Sequence, residues 1–319
     1  MSSLIKKPNE LDIKVRLKML IFGTPGIGKT TLALSASKPL LISFDKGGEQ
    51  RVCYQFLTDT VQVQDYTNIL QVLNNEDLSS YDTLIIDTGG KMMDSMANYI
   101  IARYPNMARA NGSLTLQGYG QRKQEFGALM KLIESKAKDV IFVCHQKTVQ
   151  DGDNIRYVPL FGGSNYDDLA TELDLIGYME AQGRKRTITF DPTSHADGKN
   201  TCNMPPLMEI PCIVDEYGNP TGKNDFIQSK VVKAYRDRLL ERSTEGQSYK
   251  SLMAQIDEDI ASIATPEDAD FFFKEKVKEY KHIGNSNAIM RNKFAAKISE
   301  LGFTYNKDLN SYEKAAESK

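Results

Sequence analysis

The stretch GTPGIGKTTLA, from Gly23 to Ala33, constrains this chain more than any other. Its spacing, Gly23-x-x-x-x-Gly28-Lys29-Thr30, satisfies the phosphate-binding loop pattern in full. Gly23, Thr24 and Pro25 lead into a turn in which Gly26 and Gly28 admit backbone conformations closed to other residues. Successive N–H groups through Ile27, Gly28, Lys29, Thr30 and Thr31 then face one concavity. A helix expected to begin near Lys29 adds its positive end, where anions settle. In this reading Lys29 bridges the β- and γ-phosphates of a nucleotide and the Thr30 hydroxyl ligates Mg²⁺. The apolar VRLKMLIF before the loop reads as a buried strand and TTLALSAS after it as a helix, which argues against a chance match in an ordinary glycine turn.

At 319 residues the chain has room for one large core and a smaller domain. A net charge of −2 excludes a bulk polycation, so any nucleic-acid contact must come from local patches. The opening MSSLIKKPNELDIK has no apolar signal-like run, and no stretch reaches membrane-spanning length. Cys53, Cys144, Cys202 and Cys212 lack C-x-x-C spacing and read as reduced thiols, which predicts a cytoplasmic protein.

Short apolar runs alternate with helical patterns, predicting an α/β fold with a mainly parallel sheet between helices. Strands are expected at PLLISFD (39–45), TVQVQ (60–64), YDTLIID (81–87) and DVIFVCHQ (139–146), with LDLIGYME and RTITFDP forming a hairpin at the sheet edge. KMMDSMANYIIARY reads as a helix burying Met92, Met93, Met96 and Ile100. A loop, PNMARANGSLTLQGYG, separates it from a helix starting at Gln121. After Gly222 the composition shifts to lysine, glutamate and helical periodicity. The expected division is therefore a core over 1–222 and a mainly helical C-terminal region of unassigned role over 223–319. That region offers a threonine-capped helix at TPEDAD, an amphipathic helix stopping at Gly302 and a terminal hairpin at FTYNKDLNSYE.

Nucleotide hydrolysis needs an acid besides the loop. Asp87 closes an apolar strand, as the Walker-B aspartate does when it holds Mg²⁺ through water; a strand-ending aspartate opening the turn DTGG is the alternative. KTVQDGDNIRYVPLFGG interleaves Lys147 and Arg156 with Tyr157 and Phe161 and ends in a Gly162–Gly163 hinge. Cations that track phosphates beside aromatics that stack bases suit single-strand binding, whereas Asp151–Gly152 suits a plain hairpin whose aromatics pack on the sheet. The earlier loop, with Arg103, Tyr104, Arg109, Tyr119 and Arg122, has a similar mixture. In the basic triplet, Arg184 and Arg186 flank Lys185; it is either a solvated turn or a pair of fingers reaching a neighbouring subunit's γ-phosphate.

Together LIFGTPGIGKTTLA, PLLISFDKGG, YDTLIID, the GYG before Gln121, VIFVCHQ, and GRKRTITFDPT followed by KN resemble phage-encoded P-loop nucleotide-binding proteins with a minimal RecA-like core. Some members of that family act in single-strand annealing and homologous recombination. The resemblance spans roughly residues 15 to 210. It implies a RecA-like P-loop NTPase core, ATP and Mg²⁺ as ligands, a ring or filament of identical subunits, single-stranded DNA and an annealing or single-strand-binding protein as partners, and the host cytoplasm as location. It also implies a catalytic base at the end of the strand after the P-loop helix. There FDKGGEQR offers Asp45 and Glu49, and Gly47 stands where the family's glutamate would. Gln146 matches the polar residue that senses the γ-phosphate, and His145 precedes it. A DNA-stimulated ATPase of recombination is the leading reading; a small-molecule or nucleotide kinase and a non-hydrolysing nucleotide-gated loader or scaffold are the alternatives.

Overall fold

A strand with an unbroken apolar run needs cover on both faces, and β1 (Lys18–Gly23), buried from Met19 onward, has it. The computed structural model describes residues 16–152, 154–162 and 165–314. Gly163 of the expected hinge and the amino-terminal stretch read for a leader lie outside the described residues. After β1 come α1 (Lys29–Ala33), β2 (Pro39–Ser43), β3 (Thr60–Gln62), α2 (Thr67–Asn75), β4 (Thr83–Asp87) and α3 (Gly89–Arg103). Then follow α4 (Leu116–Ser135), β5 (Asp139–Asp151), β6 (Asn154–Pro159), α5 (Asn165–Glu172), β7 (Leu175–Gln182), β8 (Lys185–Thr189), β9 (Lys199–Asn200) and β10 (Met208–Ile210).

Among the described residues the main path of the sheet runs β10-β8-β7-β1-β5-β4-β2-β3, with β6 on β5 and β9 on β7. From β7 to β3 every neighbouring pair on that path is parallel. One face, including Leu20, Phe22, Ile42, Ile86 and Phe142, packs against Met92, Met93 and Met96 of α3 and Phe126, Leu129 and Met130 of α4. The alternating residues Met19, Ile21, Leu41, Ile85 and Ile141 are equally buried on the other face. This is the α/β core with a mainly parallel sheet that the apolar runs predict.

Three local expectations shift. The β7–β8 hairpin does not form the sheet edge, because β10 pairs with β8 beyond it. The helix expected from Gln121 begins at Leu116, where the Thr115 hydroxyl accepts from the Gly118 N–H. DVIFVCHQ does not stop at Gln146: β5 runs on to Asp151 and returns as β6, pairing Gln146 with Pro159 and Asp151 with Asn154.

The described residues divide into two compact units, 16–237 and 238–314. Residues 223–237 thus sit with the core. The Asn224 amide donates to the Thr31 carbonyl, the Ile227 N–H donates to Ser35 Oγ, and Ile227, Val231 and Val232 are buried. They pass through a π-helical turn (Ile227–Val232) into α6 (Lys233–Ala261).

The second unit is mainly helical. It holds α7 (Pro266–Phe271), a π-helical turn (Phe272–Lys276), α8 (Val277–Glu279), α9 (Ser286–Glu300) and the hairpin of β11 (Phe303–Asn306) with β12 (Ser311–Lys314). Thr265 and Asp268 form a reciprocal capping box at the start of α7. Ile256, Ile260, Phe272, Met290, Phe294 and Phe303 form its core, with Phe272 and Phe294 stacked at 4.9 Å.

Candidate nucleotide-binding site

Parallel strands deliver their carboxyl ends to one edge, and the site assembles there. Register places Gly23 beside His145, and Ser43 beside Asp87. Beyond Gly23 the chain turns through Gly26 (φ 81°) and Gly28 (φ 95°), both in the left-handed region that favours glycine. Gly28 caps α1, whose first residue is Lys29.

The Lys29 ammonium is buried and donates to the carbonyls of Gly23 at 3.1 Å and Thr24 at 2.7 Å. Burial pulls it down to about 8, against the opposing attraction of Asp87. Thr30 Oγ1 donates to Asp87 Oδ2 at 2.5 Å, joining α1 to the end of β4. Burial raises the Asp87 carboxyl to about 6, although the Thr30 hydrogen bond and the Lys29 charge both favour its ionised form. The Asp87–Thr88 peptide is cis. An oxygen pair of hydroxyl and carboxylate beside a cationic cradle suits a hard divalent cation such as Mg²⁺.

Asp45 and Glu49 lie close enough to Asp87 to push its carboxyl further up. The two differ in how they are held. Glu49 is nearly buried, with Oε1 accepting from Gln62 Nε2 at 2.7 Å and Oε2 from Ser43 Oγ at 3.0 Å. Burial raises its carboxyl, but its own backbone N–H, Gln62 and Ser43 outweigh that and hold it below the ordinary range. Asp45 makes a loose ion pair with the exposed Arg51 at 3.7 Å. Sequence reasoning missed Ser43 and Gln62. They are opposite each other in the β2–β3 register, a pairing that only becomes visible once β3 is placed beside β2.

His145 and Gln146 lie within β5, just past its buried stretch. Gln146 Oε1 and His145 Nδ1 are buried and, among the described residues, have no hydrogen-bond partner. Burial first, then the Lys29 charge, lowers the His145 imidazole, so it is neutral near pH 7.

The expected DNA-contacting set separates. Lys147 is exposed on the β5–β6 hairpin. Arg156 is ion-paired with Asp197 at 2.7 Å, and Tyr157 stacks on Tyr178 at 5.9 Å. Phe161 is a correction: it is fully buried, edge-on to Phe126 and Phe142, so its ring has no face to offer a base. Of the residues read into the earlier loop, Arg122 and Tyr119 lie in α4; Arg122 is buried with its guanidinium over the ring of Tyr119, which is itself 44% exposed. The trans-finger expectation also meets a different geometry. Arg186 Nε donates to the Ile27 carbonyl of its own P-loop at 2.8 Å, and Arg184 Nη2 donates to the Val214 carbonyl at 2.8 Å.

Beside Gly28 and Thr31 opens a mainly apolar cavity of about 360 Å³, walled by Val52, Met179, Ile210, Pro211 and Phe226 among others. Part of its lining, Lys223 to Lys230, comes from the region to which the sequence assigned no role.

A phosphate-binding loop at the carboxyl edge of a parallel sheet, with β5 between the loop strand and the strand ending in Asp87, is the arrangement of a P-loop NTPase core. A family model described as an AAA domain matches residues 16–202, and the chain belongs to that family. Among solved structures the chain is similar to a DnaB-like replicative helicase described with its interactions with primase. That likeness has a TM-score of 0.41 and 14% identity, covering 65% of this chain and 57% of the helicase chain. The chain therefore spans little more than half of that structure's length. No curated protein matches it in sequence. No described helix is long and apolar enough to cross a membrane.

Proposed function

We propose that the protein binds and hydrolyses ATP and couples the nucleotide state to single-stranded DNA, assisting annealing or recombination as a homo-oligomer. The observation that carries the reading is the meeting of three chemistries at one sheet edge: the buried Lys29, the Thr30–Asp87 oxygen pair and the held carboxylate of Glu49. In it Lys29 leaves its loop carbonyls to hold the β- and γ-phosphates, and the P-loop amides take the remaining oxygens. The apolar cavity beside Gly28 takes the base. Thr30 and Asp87 would hold Mg²⁺, which when bound neutralises charge on the phosphate oxygens. Glu49, already ionised and aimed by two donors, orients a water and accepts its proton.

Support for coupling to DNA lies in continuity: β5 carries Gln146 at the site and runs without a break to Lys147 and the exposed hairpin. The alternative of a nucleotide-gated scaffold without turnover has one observation in its favour, that both Glu49 oxygens are already occupied by Gln62 and Ser43. A single assay separates the readings: phosphate release from ATP with and without single-stranded DNA, and with nucleoside monophosphates as acceptors. DNA stimulation supports the proposal. Phosphorylated acceptor points to a kinase, and binding without turnover under every condition to the scaffold.

A further inference from the structure

The basic triplet is committed within its own chain. Lys185 pairs with Glu209 at 3.0 Å across the β8–β10 ladder, and Arg184 grips the Val214 carbonyl on the wall of the apolar cavity. Arg186 does most. Its Nε donates to the Ile27 carbonyl, its Nη1 donates to the Arg184 carbonyl at 3.1 Å, and its side chain lines the same cavity as Gly28 and Thr31.

We infer that Arg186 is a nucleotide-positioning residue acting in cis, on the P-loop of its own chain, for a nucleoside triphosphate. The inference rests on the ATP-binding reading above. Its physical basis is the planarity of the peptide bond. In a trans peptide the C=O and N–H point in opposite directions, so the bond that holds the Ile27 carbonyl also fixes where the Gly28 N–H aims. Gly28, at φ 95°, has no side chain to restrict that plane, and an outside anchor is what keeps it from rotating. The guanidinium suits this task because it forks: one N–H holds the loop, another holds the Arg184 carbonyl, and the charge stays beside a cradle meant for anions. Arg184, bound to Val214, ties the same hairpin to the cavity wall. Phosphate cradle and base cavity are thereby held in one frame.

The test is equilibrium binding of a fluorescent adenine nucleotide with Mg²⁺, together with steady-state ATP turnover, on the full chain. Arg186→Ala is expected to weaken binding and raise KM roughly 10- to 100-fold, the scale of one charge-assisted hydrogen bond, while kcat falls far less. Arg186→Lys, which keeps the charge and a single donor, recovers part of the loss. Lys185→Ala, whose partner Glu209 is exposed, leaves both parameters as they are. Thermal melting verifies folding of each variant, and Arg186→Lys carries the test if Arg186→Ala does not fold. At ATP concentrations well below the raised KM, mixing Arg186→Ala protein with Lys29→Ala protein is expected to recover none of the lost turnover, since a cis residue cannot be lent to a neighbour. Wild-type affinity in Arg186→Ala with kcat collapsed, or turnover regained in the mixture, would overturn the inference and return Arg186 to a trans role. A wild-type chain that binds no nucleotide would instead sink the ATP reading itself, and this inference with it.

Discussion

Asp87 and Lys29 place two opposite charges in a site that burial makes unfavourable for both. The native state holds the Asp87 proton up to about pH 6, whereas an unfolded aspartate releases it near 4. The folded chain therefore binds more protons across that window, and this group's contribution to stability falls as pH rises from about 4 to about 6, by on the order of 3 kcal/mol. Comparing urea melts of wild type and Asp87→Asn across that range should show the slope in the first and its loss in the second. The Lys29 ammonium, lowered to about 8, adds an opposite trend at alkaline pH: stability recovers as pH climbs from 8 towards 10. Lys29→Ala is expected to abolish turnover while leaving a cooperative melt, because a short apolar side chain removes a desolvated charge; retained hydrolysis would take the P-loop out of the mechanism. For the base, Glu49→Gln should lower kcat by about 10²- to 10⁴-fold, and Asp45→Asn by much less. The reverse order would move the role to Asp45.

At the scale of elements, the β5–β6 hairpin and α4 decide what is surface and what is core. Lys147→Ala should flatten the salt dependence of single-stranded DNA binding by about one unit of slope, measured by fluorescence anisotropy at several salt concentrations. An unchanged slope would leave the hairpin as plain scaffold. Phe161→Ala tests something else. The ring fills the space between Phe126 and Phe142, and its loss should cost about 3–5 kcal/mol of stability through the cavity left behind. Any effect of that variant on DNA binding should then scale with its melting temperature.

For the whole molecule, the informative boundary is where the chain leaves the core. Ile227, Val231, Val232 and Tyr235 are buried in the first unit, and Arg236 reaches the almost inaccessible Asp139 at 3.0 Å. Each apolar side chain contributes about 1.5–3 kcal/mol when fully buried. A chain ending after residue 237 should therefore melt cooperatively and keep nucleotide binding. One ending after residue 222 should melt far lower or fail to fold, and equal melting of the two would place the boundary back at the composition shift.

What the sequence determined by itself is everything written in short-range pattern. The P-loop, the apolar strands, Asp87 at a strand end, the methionine face of α3, the threonine cap at α7 and the terminal hairpin each follow from a few neighbouring residues whose spacing dictates one conformation. Tertiary structure alone decided which distant residues complete them. Gln62 on Glu49, Arg186 on Ile27 and Asn224 on Thr31 join positions 13, 159 and 193 apart in the chain. No local periodicity encodes such pairs. The same holds for Phe161, whose flanking cations and glycines read as an exposed loop until the sheet and α4 close over it. Backbone propensity acts over a few residues, whereas burial depends on what the rest of the chain brings alongside.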